Sequence, residues 1–176
     1  MHQGLDQACI QVYTGDGKGK TTAALGLALR ASGHQLRTYI GQFMKGQPTG
    51  EHLALRDHSL ITIEQYGDPG FIRQGDVRPE HILHARRGLE RARQAMLSGR
   101  YDIVILDEVN VSIWFGLLTV EEVLVFLEQR PSNVEVILTG RRAPQAIMDR
   151  ADLVSEIREL KHYHTQGVPA RAGIEQ

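Results

Sequence analysis

The segment Ile10-Gln-Val-Tyr-Thr-Gly-Asp-Gly-Lys-Gly-Lys-Thr-Thr22 constrains the chain more than any other stretch. An apolar, β-branched run leads into a glycine-rich turn, and the turn leads into a helical pattern. Gly15, Gly17 and Gly19 permit backbone angles that turn several N–H groups toward one concavity. The helix that follows adds its positive N-terminal end. Lys20 can reach terminal phosphate oxygens, and the Thr21 hydroxyl can ligate magnesium. The nucleotide-binding loop is therefore placed at Thr14, Gly15, Asp16, Gly17, Lys18, Gly19, Lys20, Thr21 and Thr22. It is a variant: the strict pattern has glycine where Thr14 stands, and the pattern with an added signature lysine needs it where Gly15 stands.

The rest of the chain repeats the strand–helix theme. Strands are expected at Ala8–Tyr13, Leu36–Phe43, Leu60–Tyr66, Tyr101–Leu106, Val134–Thr139 and Asp152–Leu160. A helix over Thr21–Ser32 stops at Gly33. Another starts at Pro79, repeats Ile82, Ala85, Leu89, Ala92 and Met96 at helical spacing, and closes at Gly99. Thr119 and Glu122 form a capping box for a helix to about Gln129, and Pro144–Arg150 reads as a short helix. This alternation implies a mostly parallel sheet with helices on both faces. Lys45–Asp57, Gly67–Arg78 and His162–Gln176 show no period and read as long loops of the kind that carry function. With 176 residues, one nucleotide-binding domain over 1–176 is expected, ending in an irregular segment at 162–176.

Asp107 and Glu108 stand at the carboxyl end of the apolar run Tyr101–Leu106, the edge at which open α/β sheets bind ligands. Either acid can hold magnesium, directly or through water. Glu108 could instead orient an attacking water as a general base. The residues alone leave both roles open.

A net charge of −1 gives no reason to expect nucleic-acid or anionic-membrane binding. Cys9, the single cysteine, cannot form an internal disulfide, which suits a reducing compartment. With no secretory signal and no long apolar run, the expected address is the cytoplasm. His81 and His84, three apart on a helix, read as solvated rather than metal-bound, as do His162 and His164. Trp114 and Phe115 are expected in the core or at a subunit contact. Phe71, a large apolar residue in a Gly/Pro-rich loop, is a candidate to cap a substrate.

Several segments together resemble the P-loop type ATP:corrinoid adenosyltransferases. The loop T-G-D-G-K-G-K-T-T-A-A is similar to that family's T-G-N-G-K-G-K-T-T-A-A. Q42-F-M-K-G46, L106-D-E-V-N110, G116-L-L-T-V-E-E-V123, L138-T-G-R141, A143-P144 and A151-D-L-V-S-E156 resemble its other blocks. The ending from Lys161 through G-V-x-A-R-x-G-I-E175 resembles the family's tail. The resemblance implies a P-loop NTPase-like (RecA-like) fold and an alkyl transferase that uses ATP as substrate. The nucleophile would be the Co(I) centre of a reduced corrinoid, attacking the ribose 5′ carbon and releasing triphosphate. It further implies Mg2+ (or Mn2+) on Thr21, Glu108 and Asp107, Arg30 near the nucleoside, and Lys20, Glu108 and Phe71 in catalytic roles. A homodimer and a reductase that supplies Co(I) are the partners it implies. One departure stands out: many relatives read G-F-T-W where this chain has G70-F-I-R73. The alternatives from other classes are an ATPase or small-molecule kinase using Glu108 as base, and a nucleotide-dependent regulatory binder.

Overall fold

A computed structural model of the chain describes residues 4–70 and 75–175. Among the described residues six strands form one sheet: β1 (Ile10–Thr14), β2 (Thr38–Phe43), β3 (Ile61–Tyr66), β4 (Ile103–Asp107), β5 (Glu135–Thr139) and β6 (Leu153–Glu156). Their spatial order is β3-β2-β4-β5-β1-β6, and every pairing is parallel. The sheet is thus parallel throughout, which goes further than the mostly parallel arrangement expected. All carboxyl ends lie along one edge, and β5 separates the loop-bearing β1 from the acid-bearing β4.

The helices are α1 (Lys20–Ser32), α2 (Gly50–Leu55), α3 (Pro79–Leu97), α4 (Val109–Trp114), α5 (Val120–Glu128) and α6 (Gln145–Arg150), with a 3-10 turn at Tyr163–Gln166. One face of the sheet packs Ile40, Ile105 and Ile137 against Ala24, Ala28 and Ala31 of α1. Three alanines spaced over one helical face let α1 lie close to the strands, so the loop before it is held rigidly. The opposite face packs Val12, Val104, Leu106, Val136 and Leu138 against α3, α5 and α6 through Ala92, Met96, Phe126, Leu127 and Ile147. Central strands covered on both faces explain the near-continuous apolar runs of β4 and β5.

Several local expectations change. Lys45–Asp57 contains α2, and the residues after Glu108 form α4; both are six-residue helices. β6 ends at Glu156 rather than near Leu160, because its partner β1 ends at Thr14 and turns into the phosphate loop, where Ile157 still bonds Thr14 and Gly17. His81 is buried, not solvated: its Nδ1 accepts the Arg78 N–H at 3.0 Å, and its Nε2 lies 2.9 Å from Asp68. It thereby completes the capping box of α3, the role usually taken by Glu or Gln. Trp114 is 38% exposed, stacked edge-on to Phe115 and covered by Arg142 at 4.4 Å, so the core half of its expected placement does not hold. Phe71 and Arg73 lie outside the described residues. No helix among the described residues is long and apolar enough to cross a membrane.

Candidate nucleotide-binding site

The loop between β1 and α1 is pressed against the chain that follows β6. The Gly17 N–H donates to Ile157 O at 2.8 Å, and the Ile157 N–H donates to Thr14 O at 2.8 Å. A Cβ on Gly15, whose φ is +94°, would fall 2.4 Å from Ile157 O, and one on Gly17 would fall 2.8 Å from Arg158. The glycines therefore serve backbone-to-backbone approach as well as turn geometry. Gly17 spends its N–H inside the fold, so the expected cradle rests on its neighbours and on α1. Gly19 opens α1 at φ +122° with no side-chain cap and no acid in the first turn. The first-turn N–H groups therefore have no intrahelical acceptor and leave a positive end facing outward. Thr14 is buried, and its hydroxyl accepts the Ala143 N–H at 3.2 Å, pinning the loop to the segment after β5.

Lys20 is 6% exposed, and its Nζ donates to the carbonyls of Gly15 and Gly17 at 2.7 Å each. Burial pulls its pKa below the ordinary lysine value, with Arg141 adding to the pull, while Glu108, Asp16 and Asp107 oppose it. Asp16 and Lys18 are exposed, as is Thr22. Lys18 meets the chain's end: its Nζ donates to Ile174 O at 3.0 Å and lies 3.8 Å from Glu175. Glu175 also accepts from Arg171 and from the Tyr163 hydroxyl, with Arg171 stacked over the Tyr163 ring. The segment without sequence periodicity is thus a folded-back tail at the phosphate loop.

Asp107 is the electrostatic centre of the site, 1% exposed at the end of β4. Its Oδ1 accepts from the hydroxyls of Thr21 and Thr139 at 2.7 Å each. Its Oδ2 accepts from Gln42 Nε2 at 3.1 Å and Lys45 Nζ at 3.0 Å. These four donors come from α1, β5, β2 and the turn after β2, so one carboxylate ties together three neighbouring elements of the sheet edge and the phosphate loop. Lys45 also pairs with Glu51 of α2 at 3.2 Å. Burial works against Lys45's charge, but the two carboxylates outweigh it and raise its pKa. Burial likewise works against the Glu51 carboxylate, yet the Gln42 hydrogen bond and the Lys45 charge bring it down to about 2.

Glu108 follows at φ +64°, a left-handed turn that hands the chain from β4 to α4. Its N–H donates to Thr139 Oγ1 at 2.9 Å. Burial and the neighbouring Asp107 raise its pKa, against the pull of Lys45, Lys20 and Arg141.

The structure therefore brings together Thr14 through Thr21, Asp107 and Glu108. Arg30 stands apart: it is exposed in the last turn of α1, about 15 Å along the helix axis from Lys20. Reading the sequence for chemistry left Gln42, Lys45, Glu51, Thr139 and Arg141 without roles. The available signal was position: Gln42, Lys45, Thr139 and Arg141 all lie at or just past the carboxyl ends of strands.

A glycine-rich loop, a buried lysine, a threonine and a strand-end aspartate on a parallel sheet define a P-loop nucleotide-binding protein of the α/β class. The family profile described as ATP:corrinoid adenosyltransferase BtuR/CobO/CobP matches residues 6–176. The "Corrinoid adenosyltransferase" of Escherichia coli strain K12 is 37% identical over 171 residues, covering 97% of this chain and 86% of that protein. The "Corrinoid adenosyltransferase CobA" of Salmonella typhimurium strain LT2 is also 37% identical with the same coverage. The "Corrinoid adenosyltransferase" of a Sinorhizobium species is 34% identical over 173 residues, covering 97% of this chain and 81% of that protein. The chain belongs to the ATP:corrinoid adenosyltransferase family.

Proposed function

We propose that the side chains gathered around Asp107 carry out the transfer of the 5′-deoxyadenosyl group of ATP to the Co(I) centre of a reduced corrinoid. In that reaction the cobalt electron pair forms the bond to the ribose 5′ carbon, the carbon–oxygen bond breaks, and the electron pair leaves with triphosphate. No proton moves in the step, so the protein's task is to hold the reactants in line and neutralise the departing charge.

The observation that carries the assignment of roles is the 2.7 Å hydrogen bond from Thr21 to Asp107. By donating its proton to a buried carboxylate, the Thr21 hydroxyl keeps its lone pairs free for a metal. Both Asp107 oxygens already accept two donors each. That favours Thr21 and Glu108 as the residues that would hold Mg2+ directly, with Asp107 holding Thr21 in place. Oxygen donors of this hardness fit Mg2+ or Mn2+, and the bound cation would supply charge neutralisation on the phosphates. Lys20 exchanges the Gly15 and Gly17 carbonyls for phosphate oxygens, and the first-turn N–H groups of α1 bind the same anion. Lys18, on leaving the tail, adds another positive charge. Arg30 is assigned to the nucleoside and Phe71 to the corrinoid face by resemblance to the family. We further propose a single domain acting as a cytoplasmic homodimer, supplied with Co(I) corrinoid by a partner reductase.

Glu108→Gln tests the metal assignment. The account expects a reduced rate that rises with added magnesium while triphosphate remains the product. Loss of activity at every magnesium level together with ADP release by the unmutated protein would return Glu108 to the role of a hydrolytic base.

A further inference from the structure

A cavity of about 540 Å³ opens on the outer side of the edge strand β3. It is bounded by His52 of α2, by Glu64 and Gln65 of β3, and by His84, Arg87 and Arg91 of α3. None of these residues belongs to the phosphate-binding set. The cavity is nevertheless joined to it: Gln65 Nε2 donates to Gln42 Oε1 at 3.1 Å, and Gln42 Nε2 donates to Asp107 at 3.1 Å. β3 lies two strands from β4, so the Gln65 wall of the cavity is about 10 Å from Asp107 along the sheet edge.

The charges around it do not cancel. Glu64 is already engaged by three donors: it accepts from Arg91 at 3.2 Å, from the Tyr39 hydroxyl at 2.7 Å and from the Tyr66 hydroxyl. Arg91 therefore neutralises Glu64. Asp68, beside His84, pairs with Arg78 at 3.4 Å. Arg87 is left with no hydrogen-bond or ion-pair partner among the described residues, and it shares the cavity wall with Arg91 and the imidazoles of His52 and His84. An uncompensated guanidinium in a cavity with this lining is suited to an anionic oxygen group.

We propose that this cavity binds an anionic group on the periphery of the corrinoid, with Arg87 as its main contact. The inference rests on the corrinoid reading above. A large planar substrate whose reacting centre faces the nucleotide is wide enough to reach across the ends of β2 and β3 to this cavity. Two sources supply the same chemistry: the phosphodiester of a corrinoid that carries its nucleotide loop, and free side-chain carboxylates of an incompletely amidated corrinoid.

The test is equilibrium binding of oxidised corrinoids, read without turnover, to the unmutated chain, Arg87→Ala and Arg87→Lys. Arg87 is exposed and has no partner among the described residues, so neither change disturbs packing. Three ligands separate the sources: cobalamin with its phosphodiester, fully amidated cobinamide without it, and a corrinoid bearing free carboxylates. Arg87→Ala should weaken binding of cobalamin, of the carboxylate corrinoid, or of both, by roughly five- to tenfold. Cobinamide should stay within twofold, and Arg87→Lys should restore part of the loss. Equal weakening of all three ligands, no weakening of any, or no corrinoid binding by the unmutated chain would overturn the proposal. Adenosylation of reduced cobalamin by the unmutated chain, measured alongside, tells failure of this cavity from failure of the underlying reading.

Discussion

Replacing Asp107 with asparagine preserves shape and removes one buried charge, so its consequences can be worked through donor by donor. Four donors converge on the carboxylate: two hydroxyls on one oxygen, and an amide and an ammonium on the other. Asparagine offers one oxygen and one NH2. Its oxygen should face Gln42 and Lys45, because an ammonium cannot accept, and its NH2 should face Thr21 and Thr139, whose hydroxyls can. The bonds to Thr21, Thr139 and Gln42 fall from charge-assisted to neutral, a loss of roughly 1 kcal/mol apiece, while the bond from Lys45 keeps its charged donor. Lys45 keeps Glu51 at 3.2 Å, so the full cost of about 3–5 kcal/mol for breaking a buried pair is not reached. The expected destabilisation is about 2–3 kcal/mol, or a fall in Tm of about 4–12 °C for a chain of this size. Urea unfolding without nucleotide or metal measures it. In a Lys45→Met background the same change should cost at least about 1 kcal/mol less, because the two residues are in contact. A loss below about 0.5 kcal/mol for Asp107→Asn, with no coupling to Lys45, would refute the picture of Asp107 as the hub. Catalysis should suffer more than stability, because the Thr21 hydroxyl must then accept a hydrogen bond from the asparagine NH2 and turn a lone pair away from the metal.

Lys20→Ala and Thr21→Ala should each lower turnover more than tenfold while the fold survives, since each removes a contact worth about 1.5–3 kcal/mol to a charged ligand; steady-state rates and circular dichroism check this. Gly88→Ala should destabilise by about 1 kcal/mol net, because the new Cβ would lie 2.8 Å from the Tyr66 ring, which is tethered through its hydroxyl to Tyr39 and Glu64. Gly26→Ala, at an open helical position with nothing within 4 Å, should stabilise by about 0.5–1 kcal/mol, and thermal melts of the pair test both signs. Glu51 has a carboxyl held near 2, below its ordinary 4.5, so its contribution is present above the ordinary value and is lost as pH falls from about 4.5 toward 2. The stability difference between the unmutated chain and Glu51→Gln should shrink over that window; a difference that does not change with pH would contradict it.

The parts of the fold that could be read from sequence are those with local causes. The strand, glycine turn and helix around Lys20 are encoded within about twenty residues, and the capping box at Thr119 and Glu122 is present as expected, with both of its hydrogen bonds formed. What escaped has non-local or unusual causes. α2 and α4 are six residues each, too short for a helical period to show, and α4 begins only because Glu108 adopts a left-handed backbone. His81 stands where a cap motif has Glu or Gln, so its burial leaves no familiar sign. The meeting of Thr139 with Asp107 depends on β5 lying beside β4, which strand order alone decides. Gln42 and Lys45 were visible as part of a resembling motif, but their function as donors to Asp107 exists only once β2 pairs with β4. The early end of β6 follows from the end of its partner β1 at Thr14, where the chain turns into the phosphate loop.

The most direct test of the central claim is a product analysis of the unmutated chain, kept anaerobic with ATP, magnesium and chemically reduced cobalamin. The account predicts adenosylated corrinoid, seen in the visible spectrum, with an equal amount of triphosphate and with Lys20→Ala inactive. Steady formation of ADP in the absence of any corrinoid, with no triphosphate released, would contradict it.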